Sequence, residues 1–230
     1  MSFTADRILF EDNHLIAVYK TNHDIVQSDT TGDEPLIEQI KSFIKQRDGK
    51  QGNVYLEVIH RIDRPVSGVV LFAKTSKVLP RMNKLFHDGL VKKMYWAVVK
   101  SMPPKESDTL KHYLLRNTKQ NKSYVYDTPK PESKESKLIY RVMGKTSSYY
   151  LLEIELITGR HHQIRSQLAK IGCPIKGDLK YGFPRSNLDG GIHLHSRSLS
   201  FIHPVSGEHV EIVANPPEDV LWNEFTNLKP

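Results

Sequence analysis

Cysteine is almost absent from this chain of 230 residues, and no apolar segment is long. Cys173 is the single cysteine, so the chain can form neither an intrachain disulfide nor a zinc site built from several cysteines. Apolar runs such as Val69 to Ala73 are far shorter than the roughly 20 residues of a membrane-spanning helix, and residues 1–7 contain no apolar signal-peptide core. We therefore predict a cytoplasmic protein without a membrane segment.

Acidic residues are too few to balance the basic ones. The chain has 33 lysines and arginines against 26 aspartates and glutamates, a formal net charge of +7. Two segments hold the excess: residues 74–105 contain eight basic residues against Asp88, and residues 158–185 contain six against Asp178. Such segments attract polyanions, which makes a nucleic acid the first partner to consider. The alternative for each single lysine is a position on a solvated helix surface.

The pattern of apolar residues predicts both strands and helices. Because the two kinds of element neither alternate strictly nor fall into separate blocks, we expect an α+β fold with a mixed, largely antiparallel central sheet and flanking helices. We expect residues 1–230 to form a single domain, with 103–135, which contain four prolines, as an exposed loop or insertion. The predicted strands are 8–10, 15–19, 69–73, 95–99, 138–142, 150–156, 193–201 and 210–213. Two predicted helices have their apolar stripes within 36–44 and 79–90, a third begins near Thr158, and a C-terminal helix follows Pro217.

A first candidate site lies at His60 to Gly68, just before a predicted buried strand. It places the carboxylate of Asp63 between Arg61 and Arg64, in a turn that Pro65 and Gly68 favour. Nearby positive charge should keep the carboxylate ionised, which suits a nucleophile or a base better than a general acid. The alternative is that Asp63 only pairs with Arg64 and orders the loop.

A second candidate site lies at Thr158 to Arg165, where a helix is predicted to begin. We expect Thr158 to cap the helix, Gly159 to permit close backbone approach, and the free amide groups of the first turn to face an anion. Arg165, one turn further on, would reach back toward that anion. The alternative is a surface arginine on an amphipathic helix, and the spacing alone does not decide between the two.

Together the two motifs resemble the RluA family of RNA pseudouridine synthases. Further matches occur in sequence order along nearly the whole chain. Departures from the usual family pattern fall at Ile62, Val66, His161 and the Lys20-Thr21-Asn22 segment. The matching segments are His60-Arg61-Ile62-Asp63-Arg64 with Ser67-Gly68, Phe72-Ala73-Lys74, Lys93-Met94-Tyr95-Trp96-Ala97, Thr158-Gly159-Arg160, His162-Gln163-Ile164-Arg165, Gly177-Asp178, Tyr181-Gly182, Leu194-His195 and His203-Pro204.

The resemblance implies an isomerase that breaks the N1–C1′ bond of a uridine in RNA and joins C5 to C1′, with neither cofactor nor metal ion. It implies that Asp63 is the catalytic carboxylate, that Tyr95 stacks on the flipped-out base and helps to remove the C5 proton, and that Arg165 pairs with Asp63. It also implies that Arg61 fills the space that the base leaves. The other expected substrate-binding residues are Arg64, Thr158, Gly159, Arg160, His162 and Gln163.

Two other classes of function compete with this interpretation. A metallohydrolase would use His193 and His195, which alternation places on one strand face, with His161 and His162, but no cluster of carboxylates accompanies them. A noncatalytic RNA-binding module would need only positive charge and aromatic side chains. The combination of a catalytic-type aspartate, tyrosine and arginine argues against such a module.

The choice of RNA is open at this stage. The resemblance begins by about Arg7, so an N-terminal S4 RNA-binding domain is not expected, and RNA recognition is assigned to the two basic segments, with 103–135 as an accessory contact. Both tRNA and ribosomal RNA fit these observations. A monomer is the expected state.

Overall fold

A computed structural model describes residues 3–28 and 32–227. The strands form a mixed, mostly antiparallel sheet accompanied by helices, which confirms the expected α+β class. The strands are β1 (Ile8–Glu11), β2 (Leu15–Lys20), β3 (Glu57–Val58), β4 (Ser67–Ala73), β5 (Lys92–Val99), β6 (Ser107–Asn117), β7 (Lys122–Tyr126), β8 (Lys134–Lys145), β9 (Tyr150–Leu156), β10 (Leu194–Ile202) and β11 (His209–Val213). The helices are α1 (Leu36–Arg47), α2 (Val78–His87), α3 (Gln163–Lys170) and α4 (Val220–Asn227), with short 3₁₀ helices at Ala5–Arg7 and Leu179–Tyr181.

The described chain divides into two compact units. The first comprises residues 1–91 and 196–215, and the second comprises residues 92–195 and 216–230. The single-domain assignment for 1–230 stays a prediction.

The first unit is built on neighbouring strands β1, β2, β4 and β10, with β3 paired to β4 and β11 paired to β10. Every residue of β4 is buried, as its β-branched and apolar sequence predicts. Helix α1 buries Leu36, Ile37, Ile40 and Ile44, which recur at helical spacing. These elements give the first unit its own apolar core.

Gly68, the second residue of β4, lies where only glycine fits. Its backbone φ is +118°, and a Cβ atom built on it would lie 2.2 Å from the carbonyl oxygen of Ser196 in β10. A side chain there would collide with the backbone of the neighbouring strand. The absence of a side chain at Gly68 therefore allows the chain that follows the Asp63 turn to pack closely against β10.

The second unit contains the strand order β5-β9-β8-β6-β7. Helix α3 packs on β6 and β7, whereas α4 contributes Trp222 and Phe225 to a cluster with Val98 of β5. One face of β5 is therefore covered by α4, and the opposite face carries Lys93, Tyr95 and Ala97, all buried.

The loop predicted over 103–135 is wrong for most of its length. Strands β6 and β7 form a hairpin there, with Leu114 opposite Val125, and β8 begins before the stretch ends. The prolines lie outside the paired strands, and the inward positions of β6 include the polar residue His112 beside Leu110 and Leu114. That polar residue weakens the apolar alternation by which a strand is recognised.

Candidate active site

Asp63 lies in a tight turn between β3 and β4. The amide of Val66 donates a 3.0 Å hydrogen bond to the carbonyl oxygen of Asp63, which closes the turn around Arg64 and Pro65. Arg64 makes an exposed ion pair with Asp33 at 2.7 Å. Its guanidinium therefore has a carboxylate partner other than Asp63.

The side chain of Lys20 binds the backbone of the Asp63 turn. This side chain is fully buried, and its Nζ donates to the carbonyl oxygens of Thr21 (2.9 Å), Asp63 (3.2 Å), Arg64 (2.8 Å) and Val66 (2.8 Å). Burial lowers the pKa of Lys20 to about 7, against the opposing charges of Asp24 and Asp63. Sequence reasoning did not count Lys20 as a site residue, although a lysine at a buried position of an apolar strand was a signal for it.

Arg61 stands beside the turn with an exposed side chain. Among the residues that the structure describes, it makes no hydrogen bond or ion pair. His60, by contrast, accepts the amide proton of Leu71 at its Nε2 (3.1 Å) and stacks on Phe86 with ring centroids 5.0 Å apart. His60 is thus fixed by contacts with the first unit, whereas the guanidinium of Arg61 is available to a ligand.

Arg165 forms a buried two-point ion pair with Asp178. Arg165 Nε lies 2.7 Å from Asp178 Oδ2, and Nη2 lies 2.9 Å from Oδ1. The two side chains are 6% and 1% exposed, and the guanidinium also lies 5.2 Å from the ring centroid of Tyr181. A bidentate pair of this kind fixes the plane of the guanidinium. Arg165 is thus a rigid, buried cation and not a surface arginine.

Helix α3 begins later than the sequence predicts, so Thr158 is not its N-cap. The helix starts at Gln163, after His162 in a left-handed conformation with φ of 51°. The hydroxyl of Thr158 instead accepts the amide proton of Lys137 (2.8 Å) and donates to Gln163 Oε1 (2.8 Å). Local sequence could not show this, because the partner lies on β8.

The side chain of Gln163 makes several hydrogen bonds within the turn that precedes α3. Its Oε1 also accepts the amide proton of Arg160 (3.0 Å), and its Nε2 donates to the carbonyl oxygen of Lys137 (3.1 Å). Arg160 is exposed, and its Nε donates to the carbonyl oxygen of Glu135 (3.1 Å). Gly159 has open space beside it, since an added Cβ would meet nothing within 4 Å. The polar atoms of Gln163 therefore order the loop, and any contact with RNA by this residue stays a prediction.

His162 joins the same turn to Tyr181. Its Nδ1 lies 3.0 Å from the hydroxyl of Tyr181, which also accepts the amide proton of Ser123 at 2.8 Å. The ring of His161 stacks on His162 with centroids 3.8 Å apart, and its Nδ1 lies 2.9 Å from Ser123 Oγ. The β6–β7 hairpin is thereby fastened to the second motif.

Tyr95 is 7% exposed on β5, opposite Ile154 of β9. Tyr95 and the second-motif residues belong to the second unit, whereas Arg61, Asp63 and Arg64 belong to the first. The second unit brings Arg165, Asp178, Tyr181 and His162 into direct contact. Within the first unit, the side chain of Lys20 contacts the turn that contains Asp63.

Several residues of the two basic segments have partners within the protein. Lys74 pairs with Glu11, Lys84 with Asp88, Lys105 with Asp108 and Lys170 with Asp127. Exposed basic side chains that make neither an ion pair nor a hydrogen bond among the described residues are Lys77, Lys92, Lys100 and Arg185. The surface that can meet a polyanion is therefore smaller than the sequence count suggests.

His193 and His195 both pack against Trp222 of α4. The ring of His193 stacks on Trp222 with centroids 5.2 Å apart, its Nε2 lies 3.1 Å from Asp219 Oδ2, and His195 meets the edge of the same indole. Over residues 3–28 and 32–227, no group of three or more His, Cys, Asp or Glu side chains could hold a metal ion. No helix in the same part of the chain is long and apolar enough to cross a membrane.

Comparison with known proteins defines the class. A family model described as RNA pseudouridylate synthase matches residues 14–170. A "Ribosomal large subunit pseudouridine synthase C" of Buchnera aphidicola subsp. Acyrthosiphon pisum is 32% identical over 96% of this chain and 70% of that protein. Its namesake from Escherichia coli O157:H7 is 29% identical over 98% of this chain and 70% of that protein.

The fold agrees with this class. A solved structure titled "Human RNA Pseudouridylate Synthase Domain Containing 4" superposes with a TM-score of 0.79 at 22% identity, covering 96% of this chain and 91% of that one. The chain therefore belongs to the RNA pseudouridylate synthase family, whose members are isomerases, and its resemblance to the RluA group is confirmed.

Proposed function

We propose that this protein isomerises a specific uridine in ribosomal or transfer RNA to pseudouridine, with Asp63 as the catalytic carboxylate. The observation that carries the proposal is the turn that presents Asp63, since a buried lysine binds three of its carbonyl oxygens. A reacting group needs such a fixed backbone, because small displacements of a reacting atom reduce the rate strongly. Ribosomal RNA is the first substrate to test, because relatives at 29–32% identity are named for the large ribosomal subunit.

The proposed reaction is an isomerisation, so all atoms of the uridine are conserved. The N1–C1′ bond breaks, the uracil rotates within the pocket, and C5 bonds to C1′. The proton then leaves C5, and N1 of the product carries a proton. No redox or hydrolytic step is required. Asp63 acts as an ionised carboxylate on the ribose or on the base, and Tyr95 stacks on the uracil while its hydroxyl helps to remove the C5 proton, passing its own proton on to solvent as it takes up the one from C5.

Flipping the uridine out of a folded RNA costs a few kcal/mol of stacking and pairing. The proposal assigns Arg61 to the vacated space in the RNA, because its guanidinium is exposed and has no partner among the described residues. Arg165 is assigned to the charge of Asp63. The bidentate pair that Arg165 makes with Asp178 supports this role, because it fixes the orientation of the buried guanidinium.

The test is direct. The purified protein is incubated with unmodified transcripts of ribosomal RNA and of bulk tRNA, and pseudouridine is mapped in each. The proposal expects one or a few modified uridines with the parent protein and none with Asp63→Asn. Tight RNA binding without pseudouridine in any transcript would instead favour a noncatalytic RNA-binding module.

A further inference from the structure

Lys93 is a buried cation on strand β5. Its residue is 8% exposed, whereas its neighbour Lys92 is exposed on the other face of the strand. Because side chains alternate along a strand, Lys93 and Tyr95 lie on one face, about 7 Å apart along the strand axis. The opposite face of the strand packs Val98 against Trp222 of α4. Lys93 is therefore on the side of the strand that carries the proposed base-stacking residue.

No protein partner accounts for this cation. In the described part of the chain, the Lys93 side chain makes no hydrogen bond or ion pair. Burial lowers its pKa, and no carboxylate acts against that effect. Two other lysines differ: the buried Lys20 has four carbonyl acceptors, and the half-buried Lys176 donates to Asn187 Oδ1 at 2.7 Å.

An unpaired buried ammonium is unfavourable, so its presence needs a reason outside the unbound fold. The aliphatic part of the Lys93 side chain is covered by protein. Its Nζ atom is not fully enclosed, so the ammonium group still reaches solvent. A ligand could therefore approach the charged end. The ligand must be an anion, since three N–H donors and a positive charge are what the site offers.

We propose that Lys93 binds a backbone phosphate of the RNA next to the target uridine, while the uracil lies against Tyr95. The inference rests on the proposed function. Phosphate is the anion that RNA brings to every nucleotide, and two residues along one strand face span a distance suited to one nucleotide. A contact between a partly dehydrated ammonium and a phosphate is a charge-assisted hydrogen bond, which is stronger than one at a solvated surface. Lys93 would then position the nucleotide without reacting.

The experiment compares Lys93→Met with Lys92→Met, which removes the same charge one residue away on the exposed face. After the target uridine is mapped, RNA oligonucleotides carry a single uncharged methylphosphonate at each phosphate flanking it. We expect Lys93→Met to weaken binding and raise KM roughly 10- to 100-fold. The salt dependence of its affinity should fall by about one phosphate contact.

The decisive result concerns one modified phosphate. With the parent protein and with Lys92→Met, one methylphosphonate position should weaken binding by about tenfold or more, whereas Lys93→Met should bind that RNA and the unmodified RNA within about twofold of each other. Lys93→Arg should retain part of the affinity. Thermal unfolding of Lys93→Met should occur at the parental temperature or above it, because an unpaired buried charge has been removed.

Two results would overturn the proposal. The first is Lys93→Met with parental KM and parental sensitivity to every methylphosphonate. The second is Lys93→Met with a lowered unfolding temperature and unchanged methylphosphonate sensitivity, which would make Lys93 a packing residue. If the parent protein forms no pseudouridine, the proposed function fails, and the salt dependence and unfolding of Lys93→Met still decide whether Lys93 binds RNA.

Discussion

Lys20 Nζ lies 3.2 Å from the carbonyl oxygen of Asp63, the residue whose side chain is proposed to react. The ammonium also binds the carbonyl oxygens of Arg64 and Val66. One lysine on β2 therefore contacts the backbone of the turn on both sides of Pro65. The turn is thus held through its backbone carbonyl groups by a single buried ammonium.

Removal of the carboxylate charge should abolish the reaction. In Asp63→Asn the amide keeps the shape of the side chain, so RNA affinity should stay within about threefold, because phosphate contacts supply most of it. Turnover should fall about a thousandfold or more, as for loss of a reacting group. Single-turnover formation of pseudouridine and a binding titration measure the two effects. Turnover within tenfold of the parent would exclude Asp63 as the catalytic carboxylate.

The Lys20 contacts predict a loss of activity in mildly alkaline solution. A protonated amine donates three hydrogen bonds and carries the charge that attracts four carbonyl oxygens, whereas the neutral amine donates two. Since burial lowers the pKa of Lys20 to about 7, the turn should loosen as the pH rises above that value. The rate constant at saturating RNA should therefore decline between pH 7 and 9 while RNA affinity changes little.

Lys20→Met provides the matching variant. It removes the charge and keeps an unbranched stem, so it should lose at least tenfold in turnover at pH 6.5 and should lose the alkaline decline of the parent. If the parental rate is flat to pH 9, the Lys20 ammonium does not control the geometry of Asp63. Circular dichroism of Lys20→Met establishes that the variant is folded.

The buried pair of Arg165 and Asp178 predicts a strong asymmetry between single and double variants. Asp178→Asn leaves a buried guanidinium without its carboxylate, which should lower the free energy of unfolding by about 3–5 kcal/mol. Arg165→Met with Asp178→Leu replaces both charges by apolar groups and should be more stable than either single variant. Denaturant unfolding measures the cycle. Additive losses in the double variant would mean that the two side chains do not depend on each other.

The double variant of Arg165 and Asp178 also tests whether activity depends on the pair independently of stability. If Arg165 supports the charge of Asp63 as proposed, the double variant should be folded yet at least a hundredfold less active. Recovery of the rate at saturating RNA would instead make Arg165 a phosphate contact.

Glu11 predicts how the first unit responds to acid. Its carboxylate accepts hydrogen bonds from Arg47 (2.7 and 2.9 Å) and Lys74 (2.6 Å), and these partners lower its pKa to about 2. A lowered carboxylate pKa means that the stabilisation is present above about pH 4.5 and is lost as the pH falls toward 2. Glu11→Gln should therefore cost roughly 1 kcal/mol at pH 7 after allowance for solvent screening. Unfolding curves of variant and parent should converge near pH 2, and a constant difference would contradict the assignment.

The sequence predicted those parts of the molecule that depend on local pattern. The buried run of β4 and the apolar stripe of the helix after Pro35 are each set by neighbouring residues and were predicted correctly. The alternating segment 107–126 was missed, because the polar residue His112 occupies an inward position that the pairing partners β7 and β8 help to enclose.

Contacts between distant residues could not be predicted from pattern. Thr158 was expected to cap a helix that in fact begins five residues later, at Gln163, and its true partners are Lys137 on β8 and Gln163. Asp178 lies thirteen residues from Arg165, and no periodic rule links the two. Lys20 reaches carbonyl groups more than forty residues away. Each of these contacts is created by the tertiary fold.

Tyr95 allows a final test that separates stacking from proton transfer. Tyr95→Phe keeps the ring and removes the hydroxyl, so base stacking, worth roughly 1–3 kcal/mol, should survive. Release of tritium from C5 of the target uridine should slow at least tenfold, because the hydroxyl that helps to remove the C5 proton is missing.

The control is Tyr95→Leu, which removes the ring and should weaken RNA binding as well as catalysis. Thermal unfolding separates both variants from the alternative that Tyr95 is only a core residue of β5, where it is 7% exposed. In that case Tyr95→Phe would release tritium at the parental rate, or would lose binding, activity and stability together. Slow tritium release with unchanged binding and unchanged unfolding is the result that only a reacting hydroxyl explains.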